Sequence, residues 1–241
     1  MQKKNKKFES LKTIFLAILL ALIIRSFIIE PFNIPSGSMK PTLLIGDYLF
    51  VKKWAYGYSK HSLPFSIPLI NKRVFYREPK RGDIAVFKTP SDNKTDYIKR
   101  IIGLPGDEIR IKNGVVFLNN DPINKIQVND FIDYDKLNRE ISYDQFKEKI
   151  SNKSFRVIEM NAKGIGDNTP LYIVPENNFF VLGDNRDNSQ DSRFSNVGYI
   201  HKENLVGKAW IVFFSLKNSY FFEVWKWPKS IRYNRIFSKI L

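Results

Sequence analysis

Residues 13–29 form an apolar run interrupted only by Arg25 and Ser26, close to the start of the chain. As a helix rising about 1.5 Å per residue it spans roughly 25 Å, slightly short of a ~30 Å hydrocarbon core. Including Phe8 and Leu11 makes it long enough to cross. Arg25 lies near the far end, where a long cationic side chain can reach the headgroups. Lys3, Lys4, Lys6, Lys7 and Lys12 precede the run. Positive charge on that side keeps the N-terminus cytoplasmic and puts everything after Ile29 outside. A cleaved signal peptide also begins with basic residues and an apolar core. Against it, no small-x-small site follows, and the next residues carry the strongest functional motif of the chain. The expectation is a basic cytoplasmic segment, 1–12, and one uncleaved transmembrane helix, 13–29.

The formal net charge of +15 over 241 residues suits two kinds of partner. A basic face gains affinity for nucleic acid by releasing counterions from phosphates, and basic residues near a bilayer are drawn to anionic lipid. Position favours membrane lipid over nucleic acid. The lysines before the apolar run are one cluster; the other is Lys226, Lys229, Arg232, Arg235 and Lys239, interleaved with Trp225, Trp227, Tyr233 and Phe237. Aromatics mixed with cations resemble an interfacial belt. Cysteine is absent, which excludes disulfides, thiolate zinc sites and a cysteine nucleophile. His61 and His201 are the only histidines and neither sits in an HExxH pattern, so neither a metal nor a cofactor is expected.

Beyond the anchor the pattern changes to short β-branched and aromatic runs separated by turn residues. They fall at 48–51, 84–87, 97–102, 109–111, 115–118, 179–182 and 205–214. Lys112-Asn113-Gly114 between two of them reads as a hairpin turn. Residues 119–172 are polar and rich in Asn, Asp and Lys, with a short helix expected at 143–150. The expected fold is mainly β: an antiparallel-sheet domain formed by residues 30–118 and 173–241, a small inserted subdomain at 119–172, and one N-terminal transmembrane helix before both.

The motif directly outside the anchor is Pro35-Ser36-Gly37-Ser38-Met39-Lys40-Pro41-Thr42. Amide hydrolysis needs a nucleophile, a base and donors for the oxyanion. Ser38 supplies the first on a turn that Pro35 and Pro41 restrict from both sides, although a Ser-Gly-Ser alone is more often an exposed turn. Lys99 can act as base only if neutral, which asks for a pKa two or three below about 10.4 through apolar burial. By alternation Tyr97, Lys99 and Ile101 share one strand face. The bland reading of Lys99 and Arg100 is an edge strand protected by charge. A third motif, Gly183-Asp184-Asn185-Arg186-Asp187-Asn188-Ser189-Gln190-Asp191-Ser192-Arg193, follows a strand and reads as a tightly hydrogen-bonded loop in which Arg bridges carboxylates. A calcium loop is its rival, but the central glycine and terminal glutamate of an EF-hand are missing.

Together these pieces closely resemble the bacterial type I signal (leader) peptidases. The match covers residues 30–47, 81–87, 96–107 and 183–193, and continues into Asn204-Leu205-Val206-Gly207 and Trp227-Pro228. The resemblance implies a membrane-anchored serine endopeptidase that removes N-terminal signal peptides from exported preproteins, on the outer (periplasmic) face of the bacterial inner membrane. It implies that Ser38 is the nucleophile and Lys99 the general base. The Ser36 hydroxyl and the Ser38 backbone N–H would form the oxyanion hole, and Ser189 would hydrogen-bond and orient the Lys99 amine. Asp191 and Arg193 would pair and, with Gly183, support the site. Phe32, Ile34, Tyr97 and Ile98 are where the family places its substrate pocket. Alternation cannot point both Tyr97 and Ile98 to one face, so one of them is expected to line the pocket only in part. Lys40 and Gln190 fall where the family varies, and nothing carries over to residues 119–172. Two other readings are a self-cleaving repressor-type Ser-Lys protease, which would carry a DNA-binding domain in place of the anchor, and an inactive membrane-anchored binding protein.

Overall fold

A computed structural model describes residues 2–134, 139–160 and 164–240. The chain opens with α1 (Gln2–Ile23), continued by a π-helical turn over Ile24–Ile28. The stretch Glu9–Ile28 within it is long and apolar enough to cross a membrane, and only 6% of that stretch is buried against the rest of the protein. The helix therefore packs against almost nothing of its own chain. Ile29, expected inside the helix, instead begins a strand.

The strands follow in order. They are β1 (Ile29–Asn33), β2 (Asp47–Lys52), β3 (Ile84–Lys88), β4 (Asp96–Gly103), β5 (Glu108–Lys112), β6 (Val115–Leu118) and β7 (Asp121–Pro122). Next are β8 (Asn124–Tyr134), β9 (Glu140–Ile150), β10 (Lys153–Glu159) and β11 (Tyr172–Ile173). Last come β12 (Asn178–Leu182), β13 (Ile200–His201), β14 (Leu205–Ser215) and β15 (Ser238–Lys239). The expectation of a mainly β, antiparallel fold holds. The principal sheet has the order β1-β2-β14-β3-β4-β12-β13, with β15 on β14. Phe32 and Ile34 from one end of that sheet pack in one cluster with Ile98 of β4 and with Leu49, Val51, Val86, Val206, Ala209 and Val212. The sheet therefore curls, and the edge at β1 comes round to face β4.

The two-residue turn Asn113-Gly114 joins β5 to β6, with Lys112 opposite Val115. Both turn residues have positive φ, 48° and 73°. That is the twist a tight hairpin needs, and Asn-Gly tolerates it best.

Residues 143–150 are strand, not the short helix expected, because β9 lies between β8 and β10 in a three-stranded sheet. The buried positions there include Gln145 and Glu148 beside Tyr143 and Ile150. Half of the inward face is polar, so apolar spacing alone misreads it. The segment 119–172 also contributes Ile150, Phe155 and Val157 to a core cluster shared with Ile102, Ile109, Phe180 and Leu182. Of that segment, residues 135–138 and 161–163 lie outside the described residues.

The C-terminal aromatics divide into two groups. Trp227 packs on Phe214 and Phe221 with ring centroids 4.9 and 5.5 Å away, whereas Phe222 and Trp225 are 85% and 72% exposed. Arg232 and Arg235 both reach the buried carboxylate of Asp47, and the Arg235 guanidinium donates to it from two nitrogens.

Candidate active site

Ser38 sits on a turn fixed from beneath. Met39, the next residue, is buried in the cluster with Ile34, Leu43 and Leu49. Lys40 N donates to the Gly37 carbonyl at 3.1 Å, and Leu43 N to the Met39 carbonyl at 2.9 Å. From the other side Asn185 holds the turn twice. Its backbone N–H donates to the Ser38 carbonyl at 3.1 Å and its Nδ2 to the Gly37 carbonyl at 3.2 Å. Asn185 escaped a reading of the sequence that looked for reactive groups; the signal was an Asn in a loop of high turn propensity.

Lys99 comes from the part of β4 that pairs with β3 and not with β12, and its side chain is buried, which removes the reading of a solvated lysine guarding an edge. Its amine donates to Ser38 Oγ at 2.7 Å and to the Ile98 carbonyl at 3.0 Å. Burial pushes the Lys99 pKa down to about 8, against the opposing pull of the Asp191 and Asp184 carboxylates. A Tyr97 ring 5.3 Å from the amine closes that side. Ser36 Oγ lies 3.4 Å from Ser38 Oγ.

Arg100, beside Lys99, points the other way and is fully buried. It donates from Nε and Nη2 to the two carboxylate oxygens of Asp184 at 2.8 and 2.7 Å, and from Nη1 to the Gly82 carbonyl at 2.8 Å. Its guanidinium lies 4.0 Å from the centre of the Phe155 ring. This pair ties β4 to the start of the 183–193 loop. Within that loop Arg193 donates to Asp191 through Nε at 2.8 Å and Nη2 at 2.9 Å, and Asp191 accepts from Gly183 N at 3.0 Å. Arg186 donates to both oxygens of Glu148 on β9 at 2.9 and 2.5 Å. The acidic groups Asp184 and Asp191, candidates for calcium on sequence, thus face arginines.

Ser189 differs from its expected arrangement. Its hydroxyl is buried and makes no hydrogen bond among the described residues, so the bond to the Lys99 amine is not formed. Lys99 donates to Ser38 and Ile98. Ser189 does sit over Gly183: a Cβ there would collide with its side chain and lie 2.6 Å from the Ser38 carbonyl oxygen.

Ser38 and Lys99 open onto a groove of about 500 Å³. Phe32, Ile34, Tyr97 and Ile98 all line it, as do Ser36, Val86, Asn188 and Gln190. Both neighbours thus line the groove, although alternation separates them in how they pack. Ile98 packs on the cluster of Ile34, Met39 and Val86, while Tyr97 packs on that of Phe87 and Ile101. On β4 only residues from Arg100 onward pair with β12, so the preceding backbone presents an edge unpaired by β12 to the groove. Lys40, next to the site, forms an ion pair with Asp133 near the end of β8. Neither histidine lines the groove. His61 bonds Ser66 Oγ at 3.0 Å and burial lowers its pKa to about 4; His201 Nδ1 accepts from Glu203 N at 3.3 Å.

The chain is similar to known proteins. The family model described as signal peptidase, peptidase S26, matches residues 7–214. Signal peptidase I of Rickettsia conorii is 40% identical, across 100% of this chain and 98% of that protein. Signal peptidase I of Rickettsia prowazekii is 41% identical, across 92% of this chain and 90% of its own length. A solved signal peptidase I from Enterococcus faecalis V583 is 26% identical over 55% of this chain and 97% of its own, with a TM-score of 0.33. With a family match over most of its length and relatives of this identity end to end, the chain belongs to the signal peptidase I family of S26 peptidases.

Proposed function

We propose that this chain is a membrane-anchored endopeptidase that removes N-terminal signal peptides from exported preproteins with a Ser38–Lys99 dyad. The observation that carries the mechanism is the 2.7 Å hydrogen bond between the Lys99 amine and Ser38 Oγ, deep in an apolar groove. The neutral amine takes the Ser38 proton as Oγ attacks the scissile carbonyl, and returns it to the leaving amine when the acyl-enzyme forms. Water, deprotonated by the same amine, then releases the acyl group. The Ser36 hydroxyl and the Ser38 N–H are the oxyanion donors, each aimed at charge that develops only in the transition state. Ser189 orients the amine through a buried hydroxyl that has no other hydrogen-bond partner among the described residues.

An extended substrate adds as a strand between the free edge of β4 and the segment after β1, presenting alternate side chains to Phe32, Ile34, Tyr97 and Ile98. Shallow apolar walls suit small residues before the cut. The helix Glu9–Ile28 is the anchor, with residues 1–12 cytoplasmic and the catalytic body on the outer (periplasmic) face of the bacterial inner membrane. Residues 30–118 and 173–241 make that body, with 119–172 as its insertion. Membrane lipid is the second partner, through the exposed aromatics and cations of the C-terminus.

The test is direct. Ser38→Ala and Lys99→Ala, each purified in detergent and incubated with a preprotein whose products are weighed by mass spectrometry, should both lose cleavage while keeping the wild-type circular dichroism. Activity retained in Lys99→Ala sinks the dyad.

A further inference from the structure

Residues 57–80 take no part in the dyad, yet the structure fixes them beside the apolar helix. Tyr58 N donates to the Val74 carbonyl at 2.9 Å and Val74 N donates back at 2.8 Å, closing the base of a loop. The same Tyr58 reaches the helix. Its hydroxyl donates to the Phe27 carbonyl at 2.9 Å, and the two rings meet edge-on with centroids 5.5 Å apart. Phe27 lies in the last turn of the membrane-length stretch. Arg73 clamps the base from the body side, donating to the carbonyls of Tyr56, Gly57 and Leu205. The backbone approach there is close enough that a Cβ on Gly57 would lie 2.5 Å from the Phe75 carbonyl oxygen.

From that clamped base the loop turns apolar side chains outward. Leu69 and Phe75 are 79% and 81% exposed, and Ile67, Val74 and Tyr76 are exposed as well. Phe75 adopts φ 52°, left-handed backbone that a bulky aromatic disfavours. Strain is thus accepted to hold a large ring in the open. Lys60, Lys72, Arg77 and Lys80 are exposed in the same segment, with Glu78 the one exposed acidic residue among residues 57–80. Apolar and aromatic side chains flanked by cations match an anionic bilayer interface.

We propose that residues 63–76 are a lipid-facing finger whose apolar tip enters the interfacial layer of the bilayer crossed by the helix. The inference rests on the reading of that helix as an anchor. Its occupant follows from continuity: the base of the finger is bonded to the last turn of the helix, so the finger leaves the body at the depth where the helix meets the headgroups. One helix leaves the body free to swivel about it, and the finger adds to the C-terminal aromatics a further, laterally displaced contact that limits the swivel. Leu63 and Pro64 of the finger line a smaller cavity with Phe32 and Asp96, and the latter two also line the groove. Seating the finger therefore sets the attitude of the groove toward a substrate that emerges from the same bilayer.

The chain has no cysteine, so single-cysteine variants of the full chain can each carry one environment-sensitive fluorophore. Leu69→Cys, Phe75→Cys, Leu19→Cys in the helix and Asn129→Cys on β8 are reconstituted into phosphatidylcholine–phosphatidylglycerol vesicles containing doxyl-labelled lipid. Probes at 69 and 75 should be quenched several-fold more than the probe at 129, most by shallow doxyl groups, and the probe at 19 most by deep ones. If 69 and 75 match 129 while 19 is quenched, the finger is wrong and the anchor stands; if 19 is not quenched either, both fall. Shielding of 69 and 75 from aqueous iodide without lipid quenching means that protein covers the loop, which also overturns the proposal. In a second arm, Leu69→Ser with Phe75→Ser should keep wild-type peptide hydrolysis in detergent and lose several-fold in preprotein processing in vesicles. Unchanged processing would overturn the orienting role.

Discussion

A lysine buried beside a serine hydroxyl is costly to keep charged, and that cost makes it a base. With its pKa lowered to about 8 by burial, the Lys99 amine is mostly protonated at neutral pH and mostly free one unit above pH 8. The rate kcat/KM should therefore rise with pH through about 8, with no inflection near 4 from His61. Stability moves in the same direction. The unfolded chain, with an ordinary lysine pKa of 10.5, binds the proton more tightly than the native state. The penalty is thus full below about pH 8 and fades as pH rises toward the unfolded value. Lys99→Met removes the charge and keeps the volume, so it should be inactive yet melt higher than wild type at pH 7 by calorimetry. A lower melting temperature would mean that the hydrogen bonds to Ser38 and Ile98 outweigh desolvation. Gly183 offers a second test at this scale. Its substitution by Ala must push away either Ser189 or the Ser38 carbonyl, and a nucleophile displaced by about 1 Å can lose ~100-fold in rate. Peptide assays should find kcat reduced on that order, with circular dichroism unchanged.

At the scale of elements, the site depends on β4 using its two faces for opposite purposes. Lys99 serves the groove, and Arg100 locks the strand to the 183–193 loop through Asp184, both partners being almost fully buried. Leaving one member of such a pair uncompensated costs about 3–5 kcal/mol. Arg100→Met should therefore lower the denaturation midpoint strongly and reduce activity through the loop, even though Arg100 is not among the residues lining the groove. Near-normal stability would show that water or relaxation satisfies Asp184. This division also explains what the sequence made legible. Elements whose inward face is apolar, such as β3 and β12, and turns with special chemistry, such as Asn113-Gly114, were readable because local residues determine them. The closeness of Ser38 and Lys99, which are 2.7 Å apart, was legible through motifs and their order. The long strand β9 was not, since its inward face carries Gln145 and Glu148, and the reason for burying Glu148 is Arg186, 38 residues further on. Ion pairs over that distance leave no local period. The isolated hydroxyl of Ser189 was equally invisible, because residue type does not reveal a rotamer.

At the scale of the whole molecule, the apolar helix and the body should be separable, but not where hydropathy alone would cut them. The helix is mostly bare, yet Ser26 is buried, Phe27 meets Tyr58, and Arg25 donates to Glu30 at 3.0 Å. Glu30 in turn pairs with the buried Lys53 at 2.7 Å. A cut after Ile29 would remove all three contacts made by residues 25–27, together with the first residue of β1, and leave only the Glu30–Lys53 pair. Removing residues 2–23 leaves them in place. That truncated chain should hydrolyse a soluble peptide in detergent at the full-length rate, since the Ser38–Lys99 pair and its groove lie wholly within what remains. In bilayers it should process preprotein more slowly, because tethering enzyme and substrate to one surface raises their effective concentration. It should still sediment with anionic vesicles through Phe222, Trp225, the tip of the 63–76 finger and neighbouring cations, and less so as salt screens that attraction. Equal processing with and without the helix would show that these surface contacts alone hold the enzyme at its substrate. Loss of peptide hydrolysis would show instead that the helix is part of the fold of the body.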